Sequence, residues 1–412
     1  MTISRLRSLP CLLLAFVWPL SPVPGAAQVD LPATGQVSCW DSAGDVVPCA
    51  DTGDDGEIQA GVAWPTPRFT DLGDCMLDQL TGLVWAQDAD ILQDTPSWEE
   101  ALAWADGLTL CGEMDWRLPN AVEMRSLYHA EEDSRFYLEA QGFTNVVSAN
   151  SNYWTSTTDL SNPSTAIAVG LAGGGMGGSN KFSSSIIRAW PVRGQSSAPA
   201  ATWKTGQVTC SDEDGVEIDC MDTGQDGDWQ TGVAWPAPRF TVNGDGTVTD
   251  ELTGLVWSED AFSPGPAACN PGAIRPWNGI HDYIDCLNDR AFQGHTDWGF
   301  PNLTQLSSLT DFGGTAPALP LGHPFLNVQL DFPYWSSTTA AYVGEFAWVV
   351  DMNDGNVLQV FKGQATHVWP LRTLAVPEPG AALLFLTGAA TLLGVRRLRG
   401  GLVRRKGHSL RS

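Results

Sequence analysis

The 412-residue sequence predicts an α+β protein made of two tandem copies of one unit, and three observations carry that prediction. The same motifs recur in the same order, each copy passes from hairpins through two helices into a strand-rich end, and the cysteines fall into matching pairs. Thr34-Gly-Gln-Val-Ser-Cys39 returns as Thr205-Gly-Gln-Val-Thr-Cys210, and Gly61-Val-Ala-Trp-Pro-Thr-Pro-Arg-Phe-Thr70 as Gly232-Val-Ala-Trp-Pro-Ala-Pro-Arg-Phe-Thr241, both 171 residues on. Leu80-Thr-Gly-Leu-Val-Trp85, Asp115-Trp-Arg-Leu-Pro-Asn120, Tyr153-Trp-Thr-Ser-Thr157 and Trp190-Pro-Val-Arg193 return from Leu252, Asp297, Tyr334 and Trp369. The expected units span 34–194 and 205–373, joined by a linker at 195–204. Each is domain-sized, so two independent cores are expected.

The elements of a unit follow in order. Cys39 and Cys49, like Cys210 and Cys220, bracket a short glycine-containing turn, and each pair is expected to staple a hairpin. Cys75 is then expected to join Cys111, and Cys269 to join Cys286, within their own units. An even set of eight cysteines in this arrangement suits an oxidising compartment. Phe240-Thr-Val-Asn-Gly-Asp-Gly-Thr-Val-Thr249 alternates around a turn sequence and predicts a second hairpin. Ser97 with Glu100 forms a capping box ahead of an apolar stripe of Trp98, Ala101, Leu102, Ala105 and Leu108, which predicts a helix. Asn120 with Glu123, and Asn302 with Gln305, cap the next helix, so Asp-Trp-x-x-Pro-Asn is the turn into it. The last third predicts strands at Tyr153–Thr157, Thr165–Val169 and Ile186–Val192, and again at Tyr334–Thr338, Phe346–Met352, Val357–Phe361 and His367–Leu371.

Both ends carry processing signals. Arg5 and Arg7 precede an apolar run containing Cys11 and then small residues, which predicts a secretory signal peptide over 1–27. Val376-Pro377-Glu378-Pro379 is followed by sixteen uncharged residues and then Arg396-Arg397-Leu398-Arg399. As a helix that stretch rises about 24 Å, a short span whose basic flank belongs on the cytoplasmic side. The order resembles the PEP-CTERM sorting signal, here 376–399, with a basic tail at 400–412 beyond it. That resemblance implies an exosortase as partner and a transient inner-membrane anchor, ending at the cell surface or in the extracellular matrix.

The ordered motifs from Gly244-Asp-Gly-Thr-Val-Thr-Asp250 through Leu252-Thr-Gly-Leu-Val-Trp257, Asp115-Trp-Arg-Leu-Pro-Asn120, Tyr334-Trp-Ser-Ser-Thr338 and Val368-Trp-Pro-Leu-Arg372 resemble the Lcl C-terminal domain family, formerly DUF1566. The resemblance covers about 66–194 and 237–373. It implies a C-type-lectin-like, formylglycine-generating-enzyme-like fold in each unit, and it implies adhesion, since the namesake binds sulfated glycosaminoglycans. No collagen-like tract is present here. Gly299 and Phe300 stand where the first copy has Arg117 and Leu118.

Function classes are narrowed by charge and residue type. A formal charge of -25 argues against nucleic acid as a partner. Removing Arg5, Arg7 and the seven basic residues from Arg396 onward leaves 13 of the 22 basic residues against all 47 acidic ones, near -34. Against such a field a sulfated polyanion needs a local basic patch, so neutral glycans, cationic partners or calcium-bridged polymers fit better. Catalysis is not expected. No cysteine lies between Cys111 and Trp190 or between Cys286 and Trp369, where formylglycine chemistry would need one, and the histidines His129, His281, His295, His323 and His367 are not shared between copies. No cofactor is expected, with calcium the one candidate ion: the run Asp51, Asp54, Asp55 returns in register as Asp222, Gln225, Asp226, followed by Asp228. The repeated tryptophans are expected in cores. The unshared Trp40, Trp203, Trp229 and Trp277 are the candidates for an exposed carbohydrate surface. Arg117 is a further binding candidate, or else the partner of a core carboxylate, and Asp115 and Asp297 are expected to accept backbone hydrogen bonds in the turn. The expected function is an exported adhesion or carbohydrate-associated binding module, with a structural matrix component, then a cryptic hydrolase, as alternatives.

Overall fold

A computed structural model describes residues 28–148, 151–182 and 186–372. The expected signal peptide at 1–27, the expected sorting signal with Val376, Pro377, Glu378, Pro379, Arg396 and Arg397, and the basic tail lie outside the described residues.

Each unit opens with an arm. Cys39–Trp40 pairs antiparallel with Val46–Val47, and Cys210–Ser211 with Glu217–Ile218. Asp41 Oδ1 closes the first turn by accepting from Ala43 N and Asp45 N, both at 2.9 Å, and Asp212 Oδ1 accepts from Val216 N at 2.8 Å. These side chains supply the backbone acceptors that so short a loop lacks. Gly44 and Gly215 take the left-handed positions in these turns, with φ 87° and 82°. All four disulfides form as the repeat predicts: Cys39–Cys49, Cys75–Cys111, Cys210–Cys220 and Cys269–Cys286. A one-turn helix follows in each arm, Asp55–Ile58 and Asp226–Trp229.

After the arms, Phe240–Val242 and Thr247–Asp250 make the predicted hairpin, with Val242 opposite Val248 and Asp245 Oδ1 accepting from Thr247 N at 3.0 Å in the turn. Phe69–Asp71 and Cys75–Asp78 are its counterpart. The capping boxes at Ser97, Asn120 and Asn302 are all present, and Trp98, Ala101, Leu102 and Ala105 are buried. Leu108 falls just past the helix Trp98–Asp106 and is half-buried. The second copy builds the corresponding helix at Gly279–Asp289, burying Ile280, Tyr283, Ile284 and Leu287.

Three predictions are corrected. A further helix, Ser134–Ala140, occurs in the first unit, with Asp133 Oδ1 accepting from Arg135 N at its start. A further strand occupies Met176–Asn180, whose two glycines hide the alternation. Ile186–Val192 is not one strand: Ile187–Arg188 and Val192–Arg193 join different sheets, as Ala365–Thr366 and Leu371–Arg372 do in the second unit.

The largest departure concerns the two cores. Strands Tyr334–Thr339, Phe346–Val350, Val357–Phe361, Met176–Asn180, Thr165–Val169, Asn152–Thr158 and Ile187–Arg188 form one seven-stranded sheet in that order. It crosses from the second unit to the first where Val357 faces Met176, two positions that are each other's counterparts in the repeat. The units are therefore related by an approximate two-fold axis through this contact. One hydrophobic cluster runs from Trp85 and Trp190 to Trp257 and Trp369, and Tyr128 packs edge-on against Trp348 across the seam at 5.5 Å. Each copy leaves an open sheet edge at its glycine-rich or Val357 strand, and pairing these edges removes both. The linker is pinned as well: Ala200 N donates to Leu80 O at 2.9 Å, and Ala200 and Trp203 are buried.

Candidate functional site at the seam

The recurring Thr-Gly-Gln and Ser-Thr motifs meet between units rather than within them. The first arm lies on the second unit: Gln36 Nε2 donates to Thr339 O at 2.8 Å and Thr339 N to Gln36 Oε1 at 2.9 Å. The second arm lies on the first unit by the same exchange, Gln207 Nε2 to Thr158 O at 2.9 Å and Thr158 N to Gln207 Oε1 at 2.8 Å. Beside each glutamine sits a buried carboxylate. Thr34 and Thr338 hydroxyls donate to Asp55 Oδ2 at 2.6 and 2.7 Å, and Thr205 and Thr157 hydroxyls donate to Asp226 Oδ2, both at 2.7 Å. Burial pushes both carboxyls up to about 6, against the pull of the hydroxyl donors.

A buried lysine closes each contact. Lys362 Nζ donates to Trp40 O and Asp41 O, each at 3.1 Å, and lies 4.1 Å from the Trp277 ring centre. Lys181 Nζ donates to Ser211 O and Asp212 O at 3.0 and 3.3 Å over Trp98. Burial pulls both ammonium groups down to about 8. Sequence reasoning missed these lysines, although their recurrence at the same place in both copies, in a chain so poor in basic residues, is a signal.

The predicted calcium set does not converge. Asp55 and Asp226 are hydroxyl acceptors in separate seams, and Asp54 Oδ1 lies 3.0 Å from His281 Nε2 without the alignment of a hydrogen bond. Asp51 and Asp222 are exposed turn residues with positive φ, and Asp228 Oδ2 accepts from Gly224 N at 3.2 Å. Among the described residues, no three His, Cys, Asp or Glu side chains are placed to hold a metal ion.

The proposed carbohydrate surface is corrected at three of its four tryptophans. Trp40, Trp203 and Trp277 are buried, at 7%, 7% and 3% exposure, and only Trp229 is exposed, at 40%. Absence from the other copy is no guide to exposure, because indole burial is set by the arm contacts. Trp277 in fact takes the place of Trp98: their indole N–H groups donate to Ser336 O and Thr155 O, and each lies beneath a seam lysine. The repeated Trp85, Trp116, Trp154 and Trp190 and their counterparts are buried as expected, while Trp64 and Trp235 are half-buried.

Arg117 is committed to structure. Its Nη1 and Nη2 donate to Glu123 Oε2 and Oε1, both at 2.7 Å, and Thr231 of the second arm donates to the same carboxylate at 3.0 Å. In the second unit arginine and glutamate are lost together, as Gly299 and Gln305. Asp115 and Asp297 each accept a backbone hydrogen bond and also face Arg193 and Arg372 at 2.6 and 2.9 Å, contacts that the sequence reading did not foresee. Those arginines hold both carboxyls below the usual carboxylate range. This contact links Asp-Trp-x-x-Pro-Asn to Trp-Pro-x-Arg within each unit.

A small cleft opens near the pseudo-two-fold axis, about 70 Å³ in volume, between the helices Ala121–Arg125 and Leu303–Ser307 and the start of the first arm. Trp64, Tyr128, Trp203 and Phe312 give it aromatic walls, and Thr34 and Thr304 are among its hydroxyl residues. Arg125 is among its lining residues. The guanidinium lies 4.4 Å from the Tyr128 ring centre and 5.4 Å from that of Trp348, Nη1 donates to Gly174 O, and among the described residues no carboxylate pairs with it. Nη2 is buried without a hydrogen-bond partner. Burial pulls this guanidinium down to about 10. Its counterpart is Ser307, so the fold itself does not require a cation here.

The geometry provides buried ion pairs, hydroxyl-bound carboxylates and one aromatic cleft with an unpaired cation. His367 Nε2 contacts Asp331 Oδ1 at 2.9 Å, whereas His323 lies against Phe325. A family model described as the Lcl C-terminal domain matches the chain twice, over residues 74–193 and 246–372, more than half of it together. Both matched stretches begin after the arms. No curated protein and no solved structure matches the chain.

Proposed function

The chain belongs to the Lcl C-terminal domain family, and on that premise we propose that it is an exported surface or matrix protein acting as a carbohydrate-associated adhesion module. Four disulfides suit an oxidising environment. Among the described residues, no helix is long and apolar enough to cross a membrane. The seam cleft supports the binding reading, because aromatic faces with hydroxyls and one lining guanidinium are the groups that grip a sugar ring and its polar edge. Its size suits one ring edge of a polymer rather than an enclosed oligosaccharide. A C-type-lectin-like origin for each unit and exosortase processing of the tail belong to the same reading. No catalytic role is proposed.

The test is a glycan array of neutral and acidic saccharides, with and without EDTA, using the wild type and Arg125→Ala. Binding that falls about tenfold or more in the variant, roughly 1.4 kcal/mol, is expected. No binding under either condition would sink the module reading and favour a structural matrix component, the alternative to which the small cavity also points. For the tail, alanines at Pro377, Glu378 and Pro379 are expected to block maturation. Unchanged mature size and location would count against exosortase handling.

A further inference from the structure

Tandem copies with near-identical arms face a degenerate choice, since each arm could dock on its own unit or on the other. Closed pairings of both kinds would bury the same repeated motifs. The two seams nevertheless differ, and at two places the differences are matched across the contact.

At the first place, Gly53 lies against His281 and its counterpart Gly224 lies against Leu102, so His281 and Leu102 occupy equivalent receptor positions. The arm residue that follows differs accordingly. Asp54, 3% exposed, sits 3.0 Å from His281. Its counterpart Gln225 faces inward instead, accepting from Ser211 N at 3.1 Å and donating to Ser211 O at 3.0 Å, and so asks nothing of Leu102.

At the second place, Asn120 Nδ2 donates to Thr231 Oγ1 at 3.1 Å, and Asn302 Nδ2 donates to Ala60 O at 3.0 Å, which makes Thr231 and Ala60 equivalent. Thr231 meets the charged receptor and gives its hydroxyl to Glu123 beside Arg117. Ala60 meets the neutral receptor, where Gln305 and Gly299 replace that pair and Gln305 is held by Asn302 N at 2.9 Å.

The start of each arm is held in part by its own unit, through Ala130 and Glu131 for the first arm and Phe312 for the second, and we propose that the matched differences further along key the rest of each arm to the non-identical unit. Docked on its own unit, the first arm would bury the Asp54 carboxylate against Leu102 and leave Glu123 without the Thr231 hydroxyl. The second arm would set Gln225 against His281 and Thr231 against a neutral glutamine. Specificity arises because the wrong pairing sets the Asp54 carboxylate against an apolar side chain and takes the Thr231 donor from Glu123, whereas the observed pairing places Asp54 beside His281 and gives Glu123 that hydroxyl.

The experiment uses full-length variants and thermal unfolding. One variant exchanges the arm residues, Asp54→Gln with Gln225→Asp; a second exchanges the receptors, Leu102→His with His281→Leu; a third carries all four changes. Each exchange alone is expected to lower the melting temperature by several degrees, and the fourfold variant to recover most of that loss. Losses that simply add in the fourfold variant would overturn the proposal, as would exchanges that cost nothing. A second cycle, Glu123→Gln against Thr231→Ala, keeps the test open if an exchanged chain fails to fold: coupling supports the keyed arms and additivity counts against them.

Discussion

Glu123→Ala is expected to destabilise the whole chain by about 3–5 kcal/mol, because it leaves the Arg117 guanidinium buried without its counter-charge. Both partners are almost wholly inaccessible, 4% and 0% exposed. The same change removes one half of a capping box and the acceptor for the Thr231 hydroxyl. Gln305→Ala is the matched control, since it removes the equivalent capping contact where no ion pair exists. That control is expected to cost about 1 kcal/mol, the scale of a neutral hydrogen bond. Denaturant unfolding measures both. Because one apolar cluster joins the units, the loss should shift a single transition for the whole chain rather than melt one repeat early. Transplanting the neutral set, Arg117→Gly with Glu123→Gln and Thr231→Ala, should return most of the stability. A Glu123→Ala loss no larger than that of Gln305→Ala would refute the account.

What the sequence makes legible is what short-range chemistry decides. The turn at Asn243, the boxes at Ser97, Asn120 and Asn302 and the disulfides Cys39–Cys49 and Cys210–Cys220 each depend on residues close in the chain, and each appears as expected, while the repeat supplies Cys75–Cys111 and Cys269–Cys286. The exchange of arms is different in kind. Thr34 and Thr205 carry the same neighbours, so no pattern in either copy tells whether its partner strand is its own or the other's. Only positions where the copies diverge, Asp54 against Gln225 and Ala60 against Thr231, hold that information, and they acquire meaning once their receptors are known. The tryptophans fail for a related reason. Trp277 lacks a counterpart in the local motif yet performs the role of Trp98, because packing beneath a seam lysine depends on the assembled pair of units.

Acidification from pH 7 to about pH 4 is expected to strengthen the seam rather than weaken it. Asp55 is held up near 6 chiefly by burial and secondarily by the neighbouring Asp54, opposed by the Thr34 and Thr338 hydroxyls and the Asn302 side chain. Asp226 is held up to the same level by burial and by Glu123, opposed by Thr205, Thr157 and Arg117. A folded pKa above the unfolded value of 3.8 means that the native state binds more protons between those two values. Stability from protonation is then fully present below about pH 4 and is lost as pH rises through 6, on the order of 3 kcal/mol for each site. Lys181 and Lys362, pulled down to about 8, act at the other end, where alkaline pH relieves the cost of their burial. Asp115 and Asp297, held low by arginines, oppose the gain only below the ordinary carboxylate range. The measurement compares urea midpoints at pH 7 and 4.5 for the wild type and for Asp55→Asn with Asp226→Asn. Acidification should favour the wild type relative to the double variant, whatever their absolute stabilities, because the amide keeps the shape of the site and removes its titration, whereas His129, pulled down to about 4 by burial, opposes acidification equally in both. Equal pH slopes in the two proteins would show that these carboxyls do not govern the seam.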